Sequence, residues 1–411
     1  ELIAGLSLLA QLFAMGYLEK DWALGRFFAL MGFFESAMTG LALSDSLFLS
    51  YGLLEILTLS TYLLVGFWYA QPLVVTAARD AFLTKRVGDV LLLMGVVALA
   101  TMAGTLNFQD LYEWAETATL TPVVSTLLGL ALIAGPIGKC AQFPLHMWLD
   151  EAMEGPNPAS ILRNSVVVAC GAYVLIKLQP ILILSLVALA QIDIKRALSH
   201  STSAYLGIVF IAVGMQWTNV ALLVLLAHAV AKALLFMSVG SIILTTSTQD
   251  ITEMGGLRSR MPATTTAYLV GAAGMVGVVP LGGFWALREG LNAFWYDDFW
   301  VVPVLLLVNG LTALNLVRVF RLVFLGTPQI KTRRAPEVPW TMALPMVTLT
   351  IITLVFPAIL QRVYLLPNWA YLNWAACGLL VVSGVIGGSI GALMPLSRVW
   401  SRSIQMPLKF F

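Results

Sequence analysis

Residues 135–151 read Gly-Pro-Ile-Gly-Lys-Cys-Ala-Gln-Phe-Pro-Leu-His-Met-Trp-Leu-Asp-Glu, at the end of an apolar, helix-like run that begins near Pro122. The two glycines and the proline at the start of this stretch weaken or break that helix. Lys139 stands just past the break, at a depth where a lysine needs a partner or a wet cavity. Broken helices that carry a charge near mid-membrane are a recurring device for binding or moving ions. The alternative is that Lys139 snorkels to an interface, although the preceding apolar run is barely one membrane thickness.

The composition is that of a polytopic membrane protein. Of 411 residues, 59% are hydrophobic and 11% are charged, against about 25% charged residues in soluble domains. The net charge of +2 gives no indication of nucleic-acid binding. The chain has no CxxC or metal-site spacing, and no Walker, Rossmann or nucleophile-elbow pattern. Its scattered cysteines and histidines are Cys140, Cys170, Cys377, His146, His200 and His228.

Apolar runs of about 20 residues predict membrane-spanning helices along the whole chain, so the fold class is all-α. Glu1 lies inside such a run, and we expect the true N-terminus to precede it. From Pro395 to Phe411 the pattern turns amphipathic, which predicts the start of a lateral helix along the membrane surface. The predicted spans are 2–16, 27–43, 46–69, 88–105, 122–142, 159–178, 181–190 (a fragment), 204–216, 220–245, 264–284, 300–325, 341–361 and 370–394.

The loops between these spans alternate in charge, and the positive-inside rule places the basic set on the cytoplasmic side. Arg362 is an exception to the alternation. The basic set is Lys20, Arg26, Arg79, Lys85, Arg86, Lys195, Arg196, Arg258, Arg260, Lys331, Arg333, Arg334, Arg398 and Arg402. The acidic set is Asp45, Asp110, Glu113, Glu116, Asp297 and Asp298.

The same alternation indicates a missing segment near the junction of Pro180 and Ile181. Glu154 and Lys195 both fall on the positive side, so the chain between them must cross the membrane twice. Residues 159–190 number only 32, whereas two crossings need about 40. No polar turn separates Pro180 from Ile181. We therefore expect these two residues not to be joined by a peptide bond.

Several ionisable residues fall inside predicted spans. Glu55 and Lys139 are the natural ion pair, and burial brings the pKa of both groups toward neutral, as a proton relay requires. A static structural ion pair is the alternative. His228 and Lys232 lie at i and i+4 on one helix face, which indicates a hydrogen-bonded chain through water, against the alternative of a satisfied core histidine. Arg163 either snorkels or lies near Lys139.

A second break is predicted at residues 277–285, with Arg288 and Glu289 just beyond it. Residues 27–178 and 181–325 then form two five-helix units, each with a broken fourth helix. An odd number of helices per unit inverts the second unit, as is common in ion transporters. The remaining predicted segments are a truncated N-terminal span at 1–26, C-terminal spans at 326–394 and the start of the lateral helix at 395–411.

The motifs along the chain resemble the antiporter-like subunits of respiratory and photosynthetic complex I and of multisubunit sodium/proton antiporters. The amino acids at 86–89 and 142–146 most resemble those of the distal F-type subunit of that family, also called subunit five. That subunit has a long lateral helix. The stretches that carry the resemblance are 54–69, 82–89, 139–158, 193–202, 228–232 and 254–258.

This resemblance implies a subunit that moves protons across the membrane while quinone reduction occurs elsewhere in the complex. Glu55 and Lys139 would be the switching ion pair, and His228 and Lys232 the central relay. The chain would bind no cofactor and have no independent catalytic site. Plastoquinone and iron–sulfur clusters would belong to other subunits, and zinc to a carbonic-anhydrase-like partner. Its partners would be other membrane-arm subunits, especially a D-type neighbour, and lipids, in a cyanobacterial thylakoid membrane with the positive loops cytoplasmic.

Two positions depart from the family pattern. Asn164 stands where the eighth family span has a histidine, and Leu287 stands where the broken twelfth span has its exit lysine. Arg288 is shifted by one residue, about 100° around a helix, and does not readily deprotonate. Glu289 or a water chain would then substitute for the missing acceptor, or protons would pass only around Glu55 and Lys139. The second option is favoured here.

These changes resemble the carbon-dioxide-uptake variant of the cyanobacterial complex, in which a carbonic-anhydrase-like protein joins the distal subunit. Removal of protons there would favour hydration of carbon dioxide to bicarbonate. Two other functions stay open at this point. One is a sodium/proton antiporter subunit, and the other is a proton-silent scaffold for the hydratase.

Overall fold

The computed structural model describes residues 1–118, 121–178, 194–297, 299–366 and 373–393. Within these ranges every regular element is a helix, and seven of the helices are long and apolar enough to cross a membrane. Three shorter apolar helices accompany them. The prediction of an all-α polytopic membrane protein is therefore confirmed.

Before the long gap in the described residues there are nine α-helices, with a π-helical turn between the last two. They are α1 (Leu2–Tyr17), α2 (Leu24–Leu43), α3 (Leu47–Val65), α4 (Pro72–Ala103), α5 (Phe108–Thr117), α6 (Pro122–Lys139), α7 (Met147–Glu151), α8 (Asn157–Leu162) and α9 (Val168–Lys177). After the gap come α10 (Ile194–Gly214), α11 (Thr218–Thr246), α12 (Pro262–Met275), α13 (Gly282–Asp297), α14 (Val301–Phe320), α15 (Trp340–Arg362) and α16 (Trp374–Leu393).

The helices form two compact units, each with its own core. Unit 1 comprises Glu1–Gln11, Lys20–Val187 and Leu206–Ala221, and unit 2 comprises Leu12–Glu19, Ala188–Tyr205 and Leu222–Phe411. The inverted relation between two five-helix repeats stays a prediction.

Helix α4 corrects one sequence prediction. The span was expected only over 88–105, with the charges before it in a loop. Instead α4 runs for 32 residues, because Pro72 is compatible with the first helical turn and no other proline follows before Gly104, which ends the helix at a φ of 70°. Lys85 is consequently a helical residue and is buried.

Helices α4 and α6 pack closely through small residues. A Cβ atom added to Gly88 would lie 2.6 Å from the carbonyl oxygen of Ala134, and one added to Gly135 would lie 2.5 Å from the Leu92 side chain. Only glycine permits this approach of two backbones, as in many membrane helix pairs.

The break in α6 lies later than the sequence predicted. The helix continues through Pro136 and ends at Lys139, so Lys139 is its last residue and does not stand beyond the break. The chain leaves the helix at Cys140, and Ala141 adopts a φ of 50°. Packing against α4 and α9 outweighs the low helix propensity of the intervening glycines and proline, a common override of local preference.

The second predicted break is confirmed in unit 2. Helix α12 ends at Met275 and α13 begins at Gly282. Asn309 of α14 accepts a hydrogen bond from the backbone N–H of Gly277 at 2.9 Å, which satisfies a donor that the break leaves outside a helix. The Asn309 amide also donates to the Leu380 carbonyl oxygen at 3.0 Å, so one side chain ties the break to α16.

Three predictions lie outside the described residues. They are the discontinuity at Pro180 and Ile181, the apolar fragment at 181–190, and the lateral helix from Pro395 to Phe411.

Candidate functional site

A buried ion pair lies at the centre of unit 1. Lys139 is 2% exposed, and its ammonium group donates hydrogen bonds to a carboxylate oxygen of Asp89 and to the hydroxyl of Thr58. The Thr58 hydroxyl lies 3.1 Å from the other carboxylate oxygen of Asp89. Three helices, α3, α4 and α6, therefore each contribute one side chain to a closed polar triangle. We call Lys139, Asp89 and Thr58 the Lys139 centre.

The local sequence fixes the position of the lysine. Lys139 ends α6, where the unsatisfied carbonyls of the last turn favour a cation. Gly171 of α9 lies against its side chain, since a Cβ atom at Gly171 would be 2.6 Å from the Lys139 Cβ. The close packing of Gly88 on α6 brings the adjacent Asp89 within reach of the ammonium group.

The predicted pairing of Glu55 with Lys139 is wrong, because each residue has another partner. Glu55 forms its ion pair with Arg86, and both side chains are partly exposed. Glu55 precedes Thr58 by one helical turn on α3, and Arg86 precedes Asp89 by one turn on α4. The Glu55–Arg86 pair thus lies one turn along the same two helices from the Lys139 centre.

Asp89 is the functional candidate that the sequence analysis did not single out. The signal was present in the helical period, since Lys85, Asp89, Leu92 and Val96 recur on one face of α4, and all four are buried. The predicted loop over Lys85 and Arg86 obscured that period.

Lys85 is the second buried lysine of unit 1. It is 1% exposed, donates a hydrogen bond to the Thr61 hydroxyl at 3.2 Å, and lies 3.9 Å above the ring of Trp148. Its assignment to a cytoplasmic loop is corrected. The same holds for Lys195, which is 2% exposed in the first turn of α10. In both places a helix begins earlier than hydropathy alone indicates.

Arg163 and Asn164 begin a π-helical turn at Arg163–Val167, between α8 and α9. Arg163 is 1% exposed and donates to the Ser160 hydroxyl, so it does not snorkel. The Asn164 amide donates to the Ser160 carbonyl oxygen at 3.1 Å. Single π turns inside α-helices are frequently found at functional sites.

A second lysine cluster lies in unit 2. Lys232 is fully buried on α11 and donates to the Leu198 carbonyl oxygen and, at 2.6 Å, to the Ser201 hydroxyl. His228 lies one turn before it, as predicted, with its ring centroid 6.0 Å from that of Tyr205. In the described part of the chain neither ring nitrogen of His228 has a hydrogen-bond partner. We call Lys232, His228 and Ser201 the Lys232 cluster.

Leu287 lines a narrow crevice beside His228. The crevice is lined by His228, Tyr205 and Leu287, together with small residues of α12 and α13. Leu287 is fully buried there, while the neighbouring Arg288 forms an ion pair with Glu289. Leu287, which lines the crevice together with the histidine, cannot accept a proton, and the nearby Arg288 is neutralised by its own sequence neighbour.

Both lysine sites can hold a proton in a water-poor interior, and they differ in their partners. The Lys139 centre contains a carboxylate that stabilises the ammonium form, whereas among the described residues Lys232 donates its hydrogen bonds to neutral oxygens. Among the described residues there is no group of three or more His, Cys, Asp or Glu side chains with the geometry of a metal site.

Comparisons with known proteins show the family to which the chain belongs. The membrane domain of the NADH:quinone oxidoreductase/Mrp antiporter family matches residues 44–184 and 179–312. The N-terminal domain of chain 5 of NADH-ubiquinone oxidoreductase (complex I) matches residues 1–28. The matched ranges contain every candidate site residue named above.

Several relatives share this family. NAD(P)H-quinone oxidoreductase subunit 5, organellar chromatophore 2, of Paulinella chromatophora is 61% identical over 430 residues, which cover 100% of this chain and 69% of the relative. Chloroplastic subunit 5 of Lobularia maritima is 39% identical and that of Arabidopsis thaliana 38% identical, each over 362 residues. These two alignments cover 79% of this chain, which spans about half the length of the chloroplast relatives (48%). The chain therefore belongs to the NADH:quinone oxidoreductase/Mrp antiporter family of membrane proteins.

Proposed function

We propose that this chain is a proton-translocating subunit in the membrane arm of a photosynthetic complex I, a ferredoxin- or NAD(P)H:plastoquinone oxidoreductase. The observation that carries the proposal is the Lys139 centre. A lysine and an aspartate, both almost completely buried, form an ion pair between helices of a membrane domain. Such groups are costly to bury and in membranes usually belong to an ion pathway.

The arrangement around the centre supports a switching role. The Glu55–Arg86 pair joins the same two helices, α3 and α4, one turn away. When that pair opens, the field at Asp89 changes, and in a medium of low dielectric such a change is felt strongly. Lys139 can then release its proton, and it regains one when the neighbouring pair closes. In this scheme Glu55 acts on Lys139 through the field and needs no direct contact.

Proton handling in this chain is proposed to be concentrated around Glu55 and Lys139. Leu287 lines the crevice beside His228, Arg288 is paired with Glu289, and Asn164 is not titratable. A proton that reaches Lys232 thus lacks an evident acceptor among these residues. Local uptake of protons around Lys139 suits a distal subunit that drives hydration of carbon dioxide by a carbonic-anhydrase-like partner, because that hydration produces a proton that must be removed.

The remaining features of the proposal follow from the resemblance of the chain to its relatives. This subunit binds no redox cofactor itself, while plastoquinone and iron–sulfur clusters belong to other subunits and zinc to the hydratase. Its neighbours are other membrane-arm subunits, including a D-type antiporter-like subunit, and lipids. The membrane is a cyanobacterial thylakoid membrane, with the basic loops on the cytoplasmic side.

The test measures proton uptake into membrane vesicles that carry the assembled complex with the full-length chain, during quinone reduction, together with carbon dioxide uptake by cells. Lys139→Ala and Glu55→Gln should abolish both activities, because the switching charge is lost. Lys232→Ala should reduce them less. The matched control is Lys331→Ala, which removes a lysine from the half-exposed Lys331–Glu253 pair and should leave both activities unchanged.

Three results would contradict the proposal or one of its parts. Full proton uptake by the Lys139→Ala complex would exclude a translocating role of the centre. Equal and complete loss from Lys139→Ala, Glu55→Gln and Lys232→Ala, in complexes that assemble normally, would show that the whole relay operates and that protons are not handled only in the first half. Sodium-dependent transport by the purified chain would favour the antiporter function instead.

A further inference from the structure

Lys85 is a buried lysine that the scheme above does not use. We propose that Lys85 is a second proton-carrying residue, which shares the single carboxylate of Asp89 with Lys139 so that the two lysines are protonated alternately. This inference rests on the proposed proton-translocating function and adds a site to it.

Lys85 and Lys139 are both buried, and both donate hydrogen bonds to threonine hydroxyls of α3. Lys85 and Asp89 are at i and i+4 on α4, so they share a helix face. Thr58 and Thr61 are at i and i+3 on α3, and Thr58 binds Lys139 whereas Thr61 binds Lys85. Each lysine thus has its own hydroxyl on α3.

The contacts of Lys85 suit both of its protonation states. The Thr61 hydroxyl donates its proton to the Leu57 carbonyl oxygen at 2.7 Å, so it offers a lone pair to Lys85. The Lys85 amine can donate to that lone pair whether it is neutral or charged. The face of the Trp148 ring, 3.9 Å from the amine nitrogen, stabilises the charged form further.

The charges that face Lys85 come from every helix packed around it. The ionisable neighbours of Lys85 are Asp89 on its own helix, Lys139 on α6, Arg163 in the π turn and Cys170 on α9. The Glu55–Arg86 pair lies alongside on α3 and α4. The short helix α7 and the turn after it, which also pack on α4, carry Asp150, Glu151 and Glu154.

Arg163 is already a buried cation near Lys85, so two ammonium groups beside the one carboxylate of Asp89 would add a further unbalanced charge, which a low-dielectric medium opposes. The favoured states therefore have one protonated lysine. When Lys139 releases its proton along the pathway, the free negative charge of Asp89 favours uptake of a proton by the neutral Lys85 amine. When Lys139 is protonated again, Lys85 releases that proton. Asp89 remains an anion throughout, and each cycle takes up as many protons as it releases.

The test compares the pH dependence of proton uptake in vesicles between a variant with a neutral side chain at position 85 and a variant with a permanent cation there. Lys85→Met removes the competing cation, so Lys139 holds its proton more tightly. The rate should fall about tenfold and the pH optimum should rise by about one unit. Lys85→Arg places a permanent cation beside Asp89, so the rate should also fall and the optimum should move to lower pH.

Lys177 provides the matched control. It is a partly buried lysine of the same unit, with cation–π contacts to Phe108 and Tyr173, and it donates to the Ser44 carbonyl oxygen. Lys177→Met and Lys177→Arg should leave the pH optimum unchanged. If Lys85 only packs against Trp148, the Lys85 variants should behave like these controls, and Lys85→Arg should retain the rate; that result would overturn the inference.

Assembly and the wider function are tested separately. If the two Lys85 complexes do not assemble, Thr61→Val removes the hydroxyl partner at similar volume and should raise the optimum; an unchanged optimum would again overturn the inference. Loss of proton uptake in Lys139→Ala together with unchanged optima in the Lys85 variants would remove Lys85 from the pathway while leaving the proposed function intact. Normal uptake by Lys139→Ala would instead refute the proposed function.

Discussion

Lys139 in unit 1 and Lys232 in unit 2 are both buried lysines, but their side chains have different partners. Lys139 contacts a carboxylate and a hydroxyl, whereas Lys232 contacts a backbone carbonyl and a hydroxyl. Both are almost completely buried. Burial alone therefore does not distinguish them, and the presence of a counter-charge does.

The difference bears on how each lysine can work. An ammonium group paired with a carboxylate stays charged until the pair is disturbed, so its proton can be released by a change in a neighbouring charge. A lysine whose partners are neutral oxygens can donate hydrogen bonds to them in its charged form and in its uncharged form alike. On the proposed function, Lys139 would therefore act as the switch and Lys232 as a passive proton-holding residue.

The largest effect is expected from Asp89→Asn. Removal of one partner leaves the Lys139 charge buried and uncompensated, which costs about 3–5 kcal/mol of stability. We expect poor assembly of the complex, measured by native electrophoresis, and no proton uptake. The double variant Asp89→Asn with Lys139→Met should recover assembly but not proton uptake. If the double variant assembles no better than Asp89→Asn, the two residues are not energetically coupled.

A smaller effect is expected from Leu287→Lys. This substitution places a titratable group in the crevice beside His228, which the wild-type chain fills with a buried leucine. We expect proton uptake to become more sensitive to Lys232→Ala than it is in the wild-type background, by about tenfold if the new lysine lowers the last transfer barrier by about 1.4 kcal/mol. Leu287→Met, a nearly isosteric apolar change, serves as the control. An unaltered response to Lys232→Ala would show that position 287 does not limit the second half.

The smallest effect is expected from Lys331→Met, which provides a reference for both lysine sites. The Lys331–Glu253 pair has a length of 2.7 Å, but both side chains are substantially exposed, at 46% and 37%. Exposed pairs of this kind contribute about 0–1 kcal/mol. The thermal unfolding of the solubilised complex should therefore hardly change. A loss as large as that of Asp89→Asn would mean that exposure is a poor guide to the importance of ion pairs in this protein.

Sequence reasoning identified most of the helical framework because hydropathy and helix breakers act locally. The spans of unit 1 and unit 2, the break between α12 and α13, and the i, i+4 placement of His228 and Lys232 all follow from residues close together in the chain. The sequence also showed that position 287 has an apolar side chain where the family has a lysine. The structure adds that this side chain lines the crevice beside His228.

The ion-pair partners of the charged residues could not be predicted from hydropathy and helix breakers. Glu55 and Asp89 are both carboxylates near predicted spans, and nothing local distinguishes which of them reaches Lys139. The close approach of α4 and α6 at Gly88 and Gly135 decides in favour of Asp89, while Glu55 is left to Arg86.

By itself the sequence determined an all-α membrane protein, the order of its spans and the presence of titratable groups inside them, since these depend on hydropathy and on helical period. Only the tertiary structure decided that α6 continues through Pro136, that Lys85 and Lys195 are buried, and that Asp89 neutralises Lys139. The physical reason is that helix packing brings together groups far apart in the chain, and the energy of a buried charge depends on those neighbours and not on its own sequence context.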